Sequence, residues 1–210
     1  MMLTATTELI SRLKYYGHHR RTLQDYLGRC PVLREDQYGP KENMAIEEAW
    51  AFLAKGPGHG PCKSLPVPGL DDIEPVIMGE LGRDLLLREG DEIIGGIFNY
   101  LPLVPEAQRG RGIGTLLVLI SDLNGARFLR PYGYSEAGFR ARCGAHREQV
   151  RIALEGGLFV PDAVLAQYRF NAGEPGLVLS WGVSEQNALA ACDDHGVLPP
   201  FQAPDPSHDM

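Results

Sequence analysis

The chain of 210 residues lacks the marks of several protein classes. No uninterrupted apolar run approaches the roughly 18 residues that a membrane-crossing helix needs, so no membrane partner is expected. The opening MMLTATTELISRLKYY has no apolar core of the secretory-signal type. The four cysteines, Cys30, Cys62, Cys143 and Cys192, include no C-x-x-C pair. A zinc site draws on close ligand pairs, so no metal is expected. Disulfides belong mainly to secreted chains, so the cysteines read as reduced thiols in a soluble, cytoplasmic protein. No internal repeat is present. Basic charge is also short overall, because the net charge is −7. The total alone does not suggest a nucleic-acid partner.

What is present is a chain able to fold. Hydrophobic residues make up 44%, which permits a packed core. The 25 glycines and 16 prolines predict many turns and short elements. The charge is unevenly spread. Residues 107 to 151 hold eight arginines against three acids, leaving −12 for the rest of the chain. Local fields of this kind govern the recruitment of anionic ligands. A second stretch, Arg12 to Arg21, contains no acid.

Apolar spacing predicts a helix over 8–27, with Leu9, Leu13, Tyr16, Leu23 and Leu27 on one side. A second helix is predicted over 41–54. GPGHGPCKSLPVPG, residues 56–69, reads as a linker or long loop. DLLLRE and EIIGGIFNY read as two strands joined by a tight turn at Gly90-Asp91. LPLV, 101–104, is a separate strand or the end of the one before it. From Gly112 the period turns helical through Ile113, Leu116, Leu117 and Ile120. A helix over 135–155 has Ser135 as its cap and Gly156-Gly157 as its stop. A short helix within 160–168, a strand over 176–181 and a helix over 184–196 follow. The tail, PPFQAPDPSHDM, is expected to be disordered. The expected organisation is a helical region over 1–55, the linker 56–69, an α/β core over 70–182, and a C-terminal helix and tail over 183–210.

PEAQRGRGIGTLLV, residues 105–118, therefore sits at a strand-to-helix junction. Helix N-termini carry free backbone N–H groups and the positive end of the helix dipole, which attract phosphate. Glycines allow the backbone to approach closely, and arginines add charge-assisted hydrogen bonds. The loop lacks the GKS or GKT of a Walker A motif and the third glycine of the dinucleotide fingerprint. The plainer alternative is a glycine-rich turn with exposed arginines.

The wording Leu103-Val104-Pro105-Glu106, then Arg109-x-x-Gly112-x-Gly114 and Thr115-Leu116-Leu117, resembles motif A of the GCN5-related N-acetyltransferases. LLREGDEIIGGI is similar to the second and third strands of that family. The resemblance spans residues 84 to about 120. It implies a GNAT-like central mixed sheet flanked by helices, with a helical N-terminal region and a helical C-terminal extension. It implies acetyl-CoA, or another acyl-CoA, as cosubstrate. Val104 would lie beside the pantetheine arm, and Arg109, Gly110, Arg111, Gly112, Ile113, Gly114 and Thr115 would surround the pyrophosphate. The family's Tyr-x-x-x-Gly-Phe signature finds a counterpart in Tyr134 to Phe139, which implies Tyr134 as the acid that protonates the leaving thiolate. That counterpart follows Arg109 sooner than is usual in the family and leaves little room for a further strand. Tyr132 is a rival. The sequence from 145 to 165 also resembles tails of proteins encoded by phages and other mobile elements.

The implied activity is N-acyl transfer to an amine of a small molecule, a protein or a nucleobase. The alternative is a non-catalytic binding protein. Arg140, Arg147 and Arg151, at spacings of seven and four, would then dock nucleic acid or an acidic partner. Glu92 and Glu106 are candidate bases. His18-His19 and Asp193-Asp194-His195 read as solvated polar groups.

Overall fold

A computed structural model describes residues 3–28, 30–34, 37, 40–55, 62–67, 70, 72–78, 82–125, 128–129, 133–170 and 179–181. The side chains of 40–44, 54–55, 169–170 and 179–181 fall outside that description. The predicted helix over 184–196, the tail, Tyr132 and Asp193-Asp194-His195 lie outside the described residues.

Five strands form one sheet: β1 (Cys62–Ser64), β2 (Glu74–Met78), β3 (Asp84–Glu89), β4 (Glu92–Phe98) and β5 (Leu101–Leu103). They pair in sequence order, each antiparallel to the next. The short turns dictate this. Gly90-Asp91 joins β3 to β4, and Asn99-Tyr100, both at positive φ, joins β4 to β5. Two-residue connections close only antiparallel pairs. LPL is thus a strand of its own. The expected mixed sheet is corrected here, because among the described residues no strand pairs in parallel with another. The parallel contact present is a single bridge, Val32 to Tyr134, outside the sheet.

Helices cover both faces. α3 (Pro40–Lys55) lies on one, where Ala49 and Leu53 join Val76, Met78, Leu86 and Leu103. α4 (Ile113–Asp122) lies on the other, where Ile113, Leu116, Leu117 and Ile120 join Leu85, Leu87, Ile94 and Ile97. Alternation along β3 sends Leu85 and Leu87 one way and Leu86 the other. In β4 the register shifts opposite Leu87 and Arg88, which leaves Ile94 without a cross-strand partner. Such a bulge re-aims a side chain, and Ile94 joins the α4 face. The pair Gly95-Gly96 lets both helices approach. A Cβ at Gly95 would stand 2.8 Å from Ile113 Cγ2, and one at Gly96 would stand 3.0 Å from Leu53 Cδ1.

α5 (Glu136–Glu155) packs behind α4, capped by Ser135 as expected. Across their contact the helices run the same way. Gly114 lies opposite Ala141, Thr115 meets Gly144, and Asp122 bonds Gln149. A short α6 (Asp162–Leu165) and the strand pair β6 (Tyr168–Phe170) and β7 (Leu179–Trp181) follow.

The single helix expected over 8–27 is two. α1 (Thr7–Tyr16) ends at Gly17, whose N–H reaches the Leu13 carbonyl. The next N–H, of His18, goes to Gln149 Oε1 at 2.7 Å. A tertiary bond on α5 thus takes the donor that a continuous helix would have used. Thr22 then caps α2 (Leu23–Leu27). The segment 56–69 contributes β1 to the sheet edge, and Leu65 N–H bonds the Pro75 carbonyl at 2.7 Å. Leu9 and Leu13 of α1 share one core with the sheet.

A candidate anion-binding loop and a buried polar network

β5 is an edge strand of the sheet. After Leu103 the chain passes through half-buried Val104 and Pro105 into a 3-10 turn, Glu106–Gln108. It then makes two left-handed steps, Gly110 at φ 79° and Gly112 at φ 83°. Residues without a Cβ adopt this conformation at little cost. Gly112 is the N-cap of α4. No side chain caps that turn and it contains no acidic residue. The first amides of a helix have no intrahelical acceptor, and here the N-cap glycine has no side chain to supply one. Arg109 through Gly112 are exposed, while Ile113 is buried against Gly95 and anchors the helix start.

The expected loop residues divide into three groups. Arg109, Gly110 and Gly112 are exposed. Gly114 and Thr115 face α5: a Cβ at Gly114 would meet Ala141 at 3.4 Å, and one at Gly144 would meet Thr115 Oγ1 at 2.8 Å. Arg111 is bound to other side chains. Its Nη2 donates to both Glu89 oxygens, at 2.7 and 2.9 Å, and its Nη1 donates to Gln108. Gln108 is buried and donates to Glu92 at 2.5 Å. The hydrogen bond from Arg111 holds the Glu89 carboxyl below its ordinary pKa, and the same bond raises that of Arg111. Of the two candidate bases, Glu92 carries this bond and Glu106 is exposed.

Tyr134 is a core tyrosine. It is 7% exposed, packs with Tyr26, Leu27, Phe139 and Cys143, and donates its hydroxyl to the Leu27 carbonyl at 3.1 Å. Burial pushes its pKa up to about 12. These surroundings hold the phenol proton rather than release it.

The arginine face expected on α5 requires correction. Arg147 is exposed, Arg140 is exposed but paired with Glu136, and Arg151 is 6% exposed. The Arg151 guanidinium binds Glu148, Glu155 at 2.5 Å and the Leu3 carbonyl at 2.5 Å. The N-terminal segment and α1 cover that side of the helix, so the three arginines do not share an open surface.

His18 and His19 lie in the turn between α1 and α2, where His18 is half-buried and His19 departs from the solvated reading. His19 is fully buried and its two ring nitrogens find no partner among the described residues. Burial brings its pKa down to about 4. His18 belongs to a network that the sequence did not announce. At its centre Asp122, wholly buried, accepts from Tyr26 Oη at 2.6 Å, Gln149 Nε2 at 2.8 Å and Arg142 Nη1 at 3.3 Å. The His18 ring stands 3.8 Å from the same carboxylate. Arg142 also lies over the Tyr26 ring at 4.4 Å. Behind it His146 bridges the Tyr168 hydroxyl and, at 2.9 Å, the Arg21 carbonyl. A signal for this network existed. Arg142, His146 and Gln149, at spacings of four and three, form a polar stripe on the inner side of α5, and Asp122 ends an apolar helix.

The two ends of α4 are unusual together. Acids favour helix N-termini, yet the only acid of α4 lies at its C-terminus, where it meets Arg142, and the N-terminal turn carries neither an acid nor a side-chain cap. Among the described residues no cluster of three His, Cys, Asp or Glu could hold a metal, and no helix is long and apolar enough to cross a membrane. Comparison with protein-family models, with curated proteins and with solved structures returned no match to the chain.

Proposed function

We propose that the protein is an acyl-CoA-dependent N-acyltransferase of the GCN5-related type, using acetyl-CoA or another acyl-CoA. The observation that carries this reading is the uncapped, acid-free N-terminus of α4, reached from an edge strand through two left-handed glycines. Such a turn offers several backbone N–H groups to one anion. The strand before it, unpaired on its outer side among the described residues, offers backbone groups to an extended amide chain, as in strand addition. A pyrophosphate attached to a pantetheine-like arm matches both features at once. Arg109 is exposed beside the loop and adds a charge-assisted donor. The succession β3, β4, β5, loop and α4 supports the reading, since it puts the glycine-arginine loop between a strand and a helix.

In the reaction an acceptor amine attacks the thioester carbonyl carbon. The C–S bond breaks, the amine gives up a proton and the thiolate takes one. Placement of the thioester against the amine accounts for most of the rate gain in chemistry of this kind. The second reading, docking of nucleic acid or an acidic partner by α5, would rest on Arg140 and Arg147 without Arg151, which is buried.

Thermal unfolding with and without acetyl-CoA tests the proposal. A ligand at about 100 times its Kd stabilises the folded state by about 2.7 kcal/mol, so the melting temperature should rise. In Gly112→Glu the added carboxylate should abolish that rise, measured against the variant's own unliganded melting point. No rise for the wild-type chain at saturating acetyl-CoA would refute the proposal, and an unchanged rise in the variant would refute the site.

A further inference from the structure

Arg111 sits between the two left-handed glycines, where a phosphate-binding arginine would be expected. Its bonds lead elsewhere. Both Glu89 oxygens accept from its Nη2, and Gln108 accepts from its Nη1. Gln108 is buried and passes the connection to Glu92. Glu89 and Glu92 face each other as the closing pair of the β3–β4 hairpin, on either side of Gly90-Asp91. One guanidinium therefore ties the loop before α4 to the turn of the neighbouring hairpin. It also pairs with Glu89, one of two carboxylates that stand directly opposite each other, and so reduces their repulsion of one another and of an incoming anion.

We infer that Arg111 is a positioning residue: it holds the Gly110–Gly112 turn in its anion-ready shape and does not itself contact the ligand. This rests on the proposal that the loop binds the phosphates of an acyl-CoA. Three observations carry it. The two terminal nitrogens of the guanidinium are both occupied, Nη2 by the Glu89 carboxylate and Nη1 by Gln108, a planar pair of donors that the single nitrogen of a lysine cannot reproduce. The glycines on both sides lose more conformational freedom on ordering than any other residue type, so the turn needs an external tie. No ion pair occupies the other loop arginine, Arg109, among the described residues, and it is exposed. The division of labour is then clear. Arg109 and the amides at the start of α4 meet the anion, while Arg111, Gln108, Glu89 and Glu92 form the strut behind them. A preorganised loop raises affinity by removing the cost of ordering it on binding.

The test uses the full chain and two variants, Arg111→Lys and Glu89→Gln. Hydrogen exchange of amides 109–116 is measured without ligand, and acetyl-CoA affinity is measured by calorimetry. A lysine keeps the charge and could still serve a phosphate as a point charge, but it cannot reproduce the fork. The strut predicts that both variants raise loop exchange, and that both weaken acetyl-CoA by roughly five-fold, the scale of one well-made ion pair. Unchanged exchange in both variants overturns the inference whatever happens to affinity. Tighter acetyl-CoA binding in Glu89→Gln also overturns it, since the freed arginine would then be a ligand. Raised exchange in both variants, in a chain that nowhere binds acetyl-CoA, would support the strut and remove the acyl-CoA reading instead.

Discussion

Asp122 offers the sharpest test of the interior. Its carboxylate is wholly buried at the C-terminal end of α4, bonded to Tyr26, Gln149 and Arg142. In Asp122→Ala the Arg142 guanidinium keeps its charge but loses its carboxylate, while its Nε is already buried without a partner among the described residues. Breaking a buried ion pair from one side costs about 3–5 kcal/mol. Removing a negative charge from a helix C-terminus returns about 0.3–1 kcal/mol. The expected loss is therefore about 2–5 kcal/mol, a large share of the roughly 5–15 kcal/mol that holds a domain folded. Urea unfolding reads it directly. With a slope near 2 kcal/mol per molar, the midpoint should fall by about 1–2.5 M. A fall of less than about 0.5 M would mean that the carboxylate is not the hub described. The double variant Asp122→Leu/Arg142→Met removes both charges and should recover much of the loss. If it instead lost the sum of the two single losses, the pair would not be coupled.

Other expectations follow from single contacts. His146 is neutral in the fold: its Nε2–H donates to the Arg21 carbonyl, so Nδ1 accepts from Tyr168. Burial lowers its pKa to about 4 from the usual 6.5. Between those values the unfolded chain binds more protons than the folded one, so this part of the stability is full above pH 6.5 and is lost as pH falls towards 4. The slope is about 1.4 kcal/mol per pH unit inside the window. His146→Gln should reduce the slope in urea midpoints taken from pH 7 to 4.5 by that amount, while buried His19, also lowered to about 4, keeps its own share, and an equal slope in both proteins would exclude His146 as a contributor. Gly95→Ala drives a methyl to 2.8 Å from Ile113 Cγ2 and should cost about 1–3 kcal/mol by thermal melting, whereas an unchanged melting point would deny so close an approach of α4 to the sheet. Tyr134→Phe removes the bond to the Leu27 carbonyl and should cost about 1 kcal/mol while leaving any acyl transfer rate intact. A fall in kcat of about 100-fold or more would instead assign it the acid's role.

Much of the layout was legible in the sequence, because it rests on local rules. The short apolar runs DLLLRE and EIIGGIF, the turn at Gly90-Asp91 between them, the change to a helical period at Ile113 and the cap at Ser135 each depend on neighbours a few residues away. The strand-loop-helix junction at 105–118 was legible for the same reason. β2 went unread, as EPVIM has too few residues to establish a period and carries a proline at its second position. The break at Gly17 was missed because the N–H of His18 is claimed by Gln149, 131 residues further on.

The division of labour among the charged side chains was decided only in three dimensions. Arg109 and Arg111 are two residues apart in one loop and chemically identical, yet only Arg111 meets Glu89, because the β3–β4 turn comes within reach of it. Arg147 and Arg151 are one helical turn apart, yet Arg151 alone is covered by Leu3 and the N-terminal segment. Asp122, His18, Tyr26, Arg142 and Gln149 come from three separate stretches and share a single buried charge. The sequence by itself determined which backbone turns could form and where a helix start was left without a cap. Which charges are spent inside the protein depends on distances between segments far apart in the chain, and those distances arise only when the helices close over the sheet.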